Sequence, residues 1–407
     1  MDSHHKSLVC PLIAENFLGH QRILAYIRRK ISMIYHENTT YYENTLMTYV
    51  RKKKEISFEE EAFNEVDALL LCQMIYPKVE YYLPKLNANP SHAARKISWM
   101  ELDRPERRKR LFGASIYGSM YADLFDEIKE SRRYGQIRLG LMKAMTDREK
   151  KVQFAAMTAW IDEKNAFVIF RGTDSSLIGW KENFRYAYLR KWPAHKLARE
   201  YLLKVAPYVE GRLSVGGHSK GGNLAVYASA RVPQKIQRRI ERIYSFDGMG
   251  FRSSFYQTTR YQEIRKKIFK LVPEESLIGM LFAPEEGFHI VQSYEHGFLQ
   301  HDLMNWKIVD DHFLLKEDFS KKHHRLINRL NLWLRSLSGR EKKEFSELLF
   351  QFFGDLLVGK DGQSITDGKI LGQKMSSALK AMTKQERRLF LHGLLRLAHP
   401  ERCPTMG

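Results

Sequence analysis

The spacing of apolar residues divides the chain into a helical beginning, a middle of short alternating elements and a helical end. Helical spacing is found over Phe63–Tyr82 and again over Leu111–Glu130, after a polar stretch with a basic helix. After these helices, the spacing between apolar residues shortens to that of strands. The apolar runs Gln153–Ile161 and Ala166–Phe170 enclose the polar residues 162–165, which predicts a β-hairpin.

After this hairpin, strand patterns and helix patterns alternate. They are, in order, a helix at Ala194–Val205, a strand at Leu213–Gly216, a helix at Gly222–Ala230 and strands at Ile243–Phe246, Ile268–Val272 and His289–Ser293. Such alternation is typical of an α/β fold with a mostly parallel central sheet. Only helical patterns follow residue 318, and Thr383 and Glu386 have the spacing of a capping box. We therefore predict an N-terminal extension (1–45), an α/β domain (46–317) and a C-terminal helical region packed on it (318–407).

The composition permits a large core and points away from a disulfide-rich or metal-binding protein. The chain has 407 residues, 43% of them hydrophobic. Cys10, Cys72 and Cys403 are too few and too far apart for a disulfide framework or a zinc site. The N-terminus lacks the pattern of a secretory signal, and no run of about eighteen apolar residues predicts a membrane span. We expect a cytoplasmic protein with no metal or other cofactor.

The chain is strongly basic, with a formal net charge of +20. A diffuse excess of Lys and Arg favours association with polyanions or anionic membrane surfaces, although a solvated basic surface is the simpler account. No base-reading motif points to a specific nucleic acid. The partners we expect are a small-molecule or lipid ester and, at the periphery, an anionic membrane; the sequence does not fix the oligomeric state.

The most informative segment has the pattern Gly-x-Ser-x-Gly, over residues 217–221 with Ser219 at its centre. It follows a predicted strand and precedes a helix rich in small residues, such as Gly222 and Ala225. In this context the serine lies on a sharp strand-to-helix turn that exposes its hydroxyl to a pocket. The backbone N–H of Lys220, at the start of the helix, then points to where an oxyanion develops. Ser219 is therefore the candidate nucleophile.

A second oxyanion donor comes, in such folds, from the loop that follows an earlier strand. The apolar run 167–170 is followed by Arg171, Gly172 and Thr173, about fifty residues before Ser219. Thr173 offers both a backbone N–H and a hydroxyl at that place. An ordinary strand end with a Gly-Thr turn has the same pattern, so Thr173 is a candidate rather than a necessary donor.

Taken together, these segments resemble the class 3 lipases. That resemblance is carried by Phe170-Arg171-Gly172-Thr173, Gly179-Trp180 and Gly217-His218-Ser219-x-Gly221-Gly222. A closer similarity, from about Asn44 to the C-terminal helices, is to an uncharacterised bacterial lipase-like family, the domain of unknown function 2974. It adds the segments Phe63–Leu69, Gln153–Met157, Gly179–Phe184, Phe246–Gly248 and Gln300–Asp302. The resemblance implies an α/β-hydrolase fold, with helical additions at both ends, and ester hydrolysis, but it supplies no substrate.

A serine nucleophile needs a general base, and in this fold the chain order is serine, acid, histidine. His301 lies in the loop after the last predicted strand, where the base is expected. His296, five residues earlier, is the alternative.

The acid has three candidates. Asp247 directly follows a predicted strand, at the edge where functional groups gather in open α/β sheets, although an Asp-Gly turn also explains it. Class 3 lipases carry the acid one strand later, shortly before a Val-Pro pair. Here Lys270 stands where that Asp would be expected, and Glu274 and Glu275 follow the Val-Pro pair. Asp247 is our first choice, with Glu274 and Glu275 as alternatives.

Two functions of different classes fit these residues. The first is a serine esterase, in which Ser219 attacks an acyl ester, His301 carries the proton and the acid orients the histidine. The second is a catalytically silent α/β-hydrolase scaffold that acts as a binding module, because a fold does not determine a function. The absence of an acid at the lipase position supports the second. We predict the esterase.

Overall fold

A computed structural model of the chain describes residues 43–86, 95–113, 118–147, 149, 152–173, 192–282, 284–345, 348 and 382–390. Nearly all of the predicted N-terminal extension and the Gly179-Trp180 motif lie outside these residues. Within them, no helix is both long and apolar enough to cross a membrane.

The middle of the fold is an eight-stranded sheet. Its strands are β1 (Arg138–Asp147), β2 (Val152–Trp160), β3 (Ala166–Phe170), β4 (Leu213–His218), β5 (Ile240–Phe246), β6 (Ile268–Pro273), β7 (His289–Val291) and β10 (Leu315–Lys316), in that spatial order. Strands β3 to β7 are parallel. Strands β1 and β2 pair antiparallel at one end and β10 at the other. The predicted hairpin is the β2–β3 pair, and β8 (Ile308–Val309) pairs with β9 (His312–Phe313) in a separate ribbon.

Helices cover both faces of this sheet. They are α1 (Leu46–Lys53), α2 (Glu65–Gln73), α3 (Trp99–Leu102), α4 (Pro105–Phe112), α5 (Gly118–Lys129), α6 (Pro193–Val205), α7 (Lys220–Arg231), α8 (Gln234–Arg239), α9 (Ser253–Tyr256), α10 (Thr259–Ile264) and α11 (Lys321–Ser336). Residues of α1, α2 and α5 share one buried core with Phe167 and Ile169, while α6, α7 and α10 share another with Val168 and Phe170. Successive β3 side chains thus enter opposite cores, as the period of a strand requires. The architecture is an α/β-hydrolase fold with helical additions.

The strand β1 is absent from the sequence-based prediction. Only its first half is buried, and a bulge between Gly140 and Lys143 interrupts its register. Leu141, inside the bulge, has a φ of 51°. A bulge shifts the two-residue alternation of inward and outward side chains, so the sequence shows no continuous strand pattern there.

The predicted helical segments are shorter than their apolar spacing suggests. The pattern over Phe63–Tyr82 contains α2 and then a single 3₁₀ turn at Val79–Tyr81. The pattern over Leu111–Glu130 contains the end of α4 and the separate helix α5. The capping box near the C-terminus is confirmed, because the backbone N–H of Glu386 donates to Thr383 Oγ1 (3.2 Å) and the backbone N–H of Thr383 donates to Glu386 Oε2 (2.8 Å).

Candidate active site

Ser219 occupies the turn between β4 and α7 and has a strained backbone. Its φ and ψ are 57° and −124°, in a region that L-residues rarely adopt. The turn is held because the Ser219 N–H donates to the carbonyl of Phe246 (2.8 Å) and the Ser219 carbonyl accepts from the N–H of Gly222 (3.1 Å). A side chain at Gly221 would overlap the carbonyl oxygen of Phe170, which explains the glycine two residues after the serine.

The loop after β3 approaches Ser219 closely. A Cβ placed on Gly172 would lie 3.4 Å from the Cβ of Ser219. Thr173 is the next residue in sequence and therefore lies at the edge of the same site. The hydroxyl oxygen of Thr173 is buried and has no hydrogen-bond partner within the part of the chain that the structure describes. A buried hydroxyl without a partner is costly, and an acceptor bound in the site would satisfy it.

Lys220 is the first residue of α7, so its backbone N–H lies at the positive end of the helix. Its side chain is fully buried. The Lys220 ammonium donates to the backbone carbonyl of Gln153 (2.6 Å) and to Gln153 Oε1 (3.2 Å), at the beginning of β2. The side chain of Lys220 thus contacts Gln153 of β2, whereas its backbone lies at the beginning of α7.

Asp247 and His301 form a short hydrogen bond, although 54 residues separate them in sequence. Asp247 Oδ2 lies 2.6 Å from His301 Nδ1. Asp247 follows β5 directly, with a φ of 47°, and is 1% exposed, whereas the His301 side chain is 21% exposed. With the carboxylate oxygen as the acceptor, Nδ1 of His301 is the donor in this hydrogen bond.

The other oxygen of Asp247 is held by residues that the sequence analysis missed. Ser276 Oγ donates to Asp247 Oδ1 (2.5 Å), and the backbone N–H of Gly279 donates to the same oxygen (3.0 Å). His323, on the C-terminal helix α11, donates from Nε2 to the carbonyl of Ser276 (3.0 Å). None of these residues belongs to a recognisable motif, and only the folded chain brings them to Asp247.

The alternative acids and the alternative base make other contacts. Glu274 pairs with Lys316 of β10 (2.7 Å), and the carboxylate of Glu275 accepts from the backbone N–H of Gly297. His296 is exposed at the start of the 3₁₀ turn Gly297–His301. Lys270, which stands where class 3 lipases carry an Asp, forms a buried ion pair with Glu286 (3.0 Å). Of the three candidate acids, the structure thus gives Asp247 a direct hydrogen bond to His301.

His218, immediately before the serine, packs against His301. The two ring centroids are 4.5 Å apart, and Tyr76 Oη lies 3.0 Å from His218 Nδ1. Burial holds the pKa of His218 well below its ordinary value, and the neighbouring His301 lowers it further. His218 is therefore neutral near pH 7 and adds no positive charge beside His301.

The chain shows the α/β-hydrolase fold, with a serine in a strained strand-to-helix turn and a His-Asp pair at the same edge of the sheet. It belongs to the Mbeg1-like family, whose model matches residues 128–351, more than half of the chain. No curated protein matches the sequence. No group of three or more His, Cys, Asp or Glu side chains in the described ranges is arranged to hold a metal ion.

Among solved structures, the chain is similar to two lipases. A lipase from Rhizomucor miehei, in a propeptide complex, is 19% identical over 39% of this chain and 57% of its own, with a TM-score of 0.27. The M37 lipase is 11% identical over 54% of this chain and 69% of its own, with a TM-score of 0.32. The chain thus spans only a little over half of the Rhizomucor miehei lipase, and neither similarity is high enough to bear on activity.

The Ser276 hydroxyl gives a prediction that separates positioning from folding. Its donated hydrogen bond helps to orient the Asp247 carboxylate toward His301, so Ser276→Ala leaves that carboxylate less well oriented. For the ester hydrolysis that the sequence predicts, we expect kcat to fall about tenfold and KM to change little. Ser276→Thr, which keeps the hydroxyl, is expected to restore kcat. An unchanged kcat in a folded Ser276→Ala variant contradicts this role.

Asp302, beside His301, gives a prediction for stability. Burial raises its pKa to about 6, against opposing effects of the Met304 N–H and His301. Because the folded state then binds more protons than the unfolded one between about pH 4 and 6, stability falls as the pH rises through that window. Asp302→Asn keeps an oxygen for Met304 and removes the charge. We expect it to raise the free energy of unfolding by about 1–2 kcal/mol at pH 7 and by almost nothing at about pH 4 in urea titrations. An equal gain at both pH values contradicts the prediction.

Proposed function

We propose that this protein is a serine hydrolase that cleaves carboxylic esters, with Ser219 as nucleophile, His301 as general base and Asp247 as the acid that orients it. The observation that carries the proposal is the 2.6 Å hydrogen bond between Asp247 and His301. It joins two residues far apart in sequence at the edge of the sheet where Ser219 lies. A purely structural Asp-Gly turn requires no histidine partner at this position.

In this mechanism, His301 Nε2 accepts the hydroxyl proton of Ser219 as its oxygen attacks the ester carbonyl carbon. The tetrahedral intermediate collapses, the C–O bond to the alcohol breaks, and the His301 cation returns the proton to the departing alcohol. Water, deprotonated by His301, then attacks the acyl-serine. The carboxylic acid leaves and Ser219 regains its proton, so the net reaction consumes one water per ester.

Two groups are available to stabilise the oxyanion in this proposal. The backbone N–H of Lys220 lies in the first turn of α7, at the positive end of that helix. Thr173 supplies a backbone N–H and the buried hydroxyl that has no hydrogen-bond partner among the described residues. Loss of one such donor typically costs about 10²–10³-fold in kcat.

Hydrogen bonds orient the Asp247 carboxylate before substrate binds. Three donors converge on it: His301, the Ser276 hydroxyl and the Gly279 N–H. These hydrogen bonds fix its direction, so His301 presents Nε2 rather than Nδ1 for proton transfer.

Pre-steady-state kinetics on p-nitrophenyl esters of increasing acyl length test the proposal. If an acyl-enzyme forms and its hydrolysis limits turnover, a burst of p-nitrophenol close to one equivalent precedes the steady state. Where no burst is seen, added hydroxylamine is expected to capture the acyl group as a hydroxamate. No turnover with any acyl length, together with no hydroxamate, would contradict ester hydrolysis and favour a silent scaffold that binds its ligand.

A further inference from the structure

A cationic cavity lies at the β1 end of the sheet, apart from the catalytic residues. Its volume is about 320 Å³. It is lined by Tyr82, Leu83, Pro84, Lys85, Arg95, Ile97, Glu101, Arg104 and Arg107. Four of these side chains are cationic and one is a carboxylate, so the cavity attracts anions.

Backbone pairing to β1 fixes the two walls of the cavity. One wall is held by hydrogen bonds from the Leu86 N–H to the Met142 carbonyl (3.0 Å) and from the Met142 N–H to the Pro84 carbonyl (2.7 Å). The other is held by a pair of hydrogen bonds between Ile97 and Leu139 (2.9 and 2.7 Å). The cavity therefore exists before any ligand arrives, and binding does not have to order its walls.

Two of the four cations of the cavity form no ion pair with a carboxylate among the described residues. Neither Lys85 nor Arg104 forms an ion pair with a carboxylate in the described parts of the chain, and Arg95 is 3.9 Å from Glu101. Arg107 donates to a backbone carbonyl, that of Glu101 (2.9 Å). Partial burial lowers the pKa of Lys85, against an opposing effect of Glu80. An anion in the cavity would stabilise these cations.

Two large side chains next to lining residues in sequence are exposed. Tyr81 is 52% exposed and Met100 is 48% exposed, and they adjoin the lining residues Tyr82 and Glu101 in sequence. The guanidinium of Arg110 lies 3.8 Å from the centroid of the Tyr81 ring. Tyrosine beside arginine at the level of lipid headgroups is a recurrent arrangement at membrane surfaces. An exposed thioether fits a lipid surface, whereas a single nucleic acid strand is bound by aromatic side chains along a basic groove.

This surface is connected to the candidate catalytic edge. Glu80, in the 3₁₀ turn Val79–Tyr81, pairs with Arg171 (3.1 Å), two residues before Thr173. Tyr76, just before that turn, contacts His218. A bilayer that touches Tyr81 would thus lie beside the loop that carries the proposed oxyanion donor.

We propose that this face, composed of the cationic cavity with Tyr81 and Met100, docks the protein on anionic phospholipid membranes. The phosphate of a lipid headgroup enters the cavity near Lys85 and Arg104, while Tyr81 and Met100 enter the interfacial layer. This binding does not depend on the chemistry of Ser219. A failure of the membrane-binding proposal would therefore leave the ester-hydrolysis proposal untouched, and the reverse also holds.

Co-sedimentation with phosphatidylcholine vesicles, with and without phosphatidylglycerol, tests this docking. We expect binding only to the anionic vesicles, and weakening as salt rises. The double variant Lys85→Gln/Arg104→Gln is expected to bind about tenfold or more weakly, because each cation contributes at the membrane surface. The matched control Lys196→Gln/Arg238→Gln removes exposed cations from α6 and α8 and is expected to change binding less than about threefold.

The double variant Tyr81→Ser/Met100→Ser is expected to weaken vesicle binding with little change in the salt dependence of that binding.

Thermal melting of each variant establishes that it is folded before its binding is interpreted. Equal weakening by the two charge-neutralising pairs would assign the effect to the diffuse net charge and overturn the proposal. Equal binding to neutral and anionic vesicles would do the same. Binding of a single-stranded oligonucleotide that is lost in Lys85→Gln/Arg104→Gln, with no vesicle binding, would assign the surface to nucleic acid instead.

Discussion

Replacing Ser219 by alanine is expected to lower kcat for ester hydrolysis by about 10⁵–10⁶-fold, the scale seen when a serine nucleophile is removed from a working triad. The substitution removes only the hydroxyl group, and the backbone hydrogen bonds of residue 219 to Phe246 and Gly222 remain. Thermal melting is therefore expected to change little. Steady-state rates on the p-nitrophenyl ester with the highest turnover measure the effect.

Ser229 offers a matched control for this substitution. It lies on the same helix, α7, is fully buried, and its hydroxyl has no hydrogen-bond partner within the described residues. Ser229→Ala is expected to keep the wild-type rate. Ser219→Gly adds a second check, because glycine adopts a φ of 57° with less strain than alanine. It is expected to be as inactive as Ser219→Ala and to melt at a higher temperature. A Ser219→Ala variant that retains more than about one hundredth of the activity contradicts the assignment.

The second large effect concerns the acid. Asp247→Asn preserves the size of the side chain but removes the charge and presents an amide to His301, so the imidazole adopts the wrong tautomer. We expect kcat to fall by about 10³–10⁴-fold. Glu274→Gln, which breaks a pair with Lys316, is expected to change kcat by less than about threefold.

The comparison of these two carboxylates discriminates between the proposed triad and the arrangement of class 3 lipases, in which the acid comes one strand later. Glu275→Gln serves as a further control, because its carboxylate contacts the backbone of Gly297 in the turn that carries His301. If Glu274→Gln or Glu275→Gln is as damaging as Asp247→Asn, the acid is wrongly assigned.

Much of the fold could be predicted from local sequence. Short apolar runs predict the β2–β3 hairpin and the strands β4 to β7. The turn and helix at Ser219 are also indicated by glycines, such as Gly221, at positions where an added side chain would collide with neighbouring backbone. These are properties of a few consecutive residues. The bulged edge strand β1 could not be predicted, because Leu141 takes an unusual backbone conformation and the inward-outward alternation changes there.

The contacts around Asp247 could be predicted only in part. The strand ends of a parallel sheet meet at one edge, which made Asp247 and His301 candidates for a pair. Ser276, Gly279 and His323 reach the acid through a loop and a C-terminal helix whose positions no local pattern encodes. Tyr76 likewise meets His218 across 142 residues of sequence. Long-range contacts of this kind arise from packing, and a single sequence does not display them.

Labelling with a fluorophosphonate probe, read as the intact mass and the modified peptide, tests the central claim most directly. The reagent reacts with a serine only where a base has activated the hydroxyl. The account predicts one adduct per chain, located on Ser219, absent in Ser219→Ala and retained in Ser229→Ala. An adduct on another residue, labelling that survives in Ser219→Ala, or a folded wild-type protein that takes up no probe would contradict it.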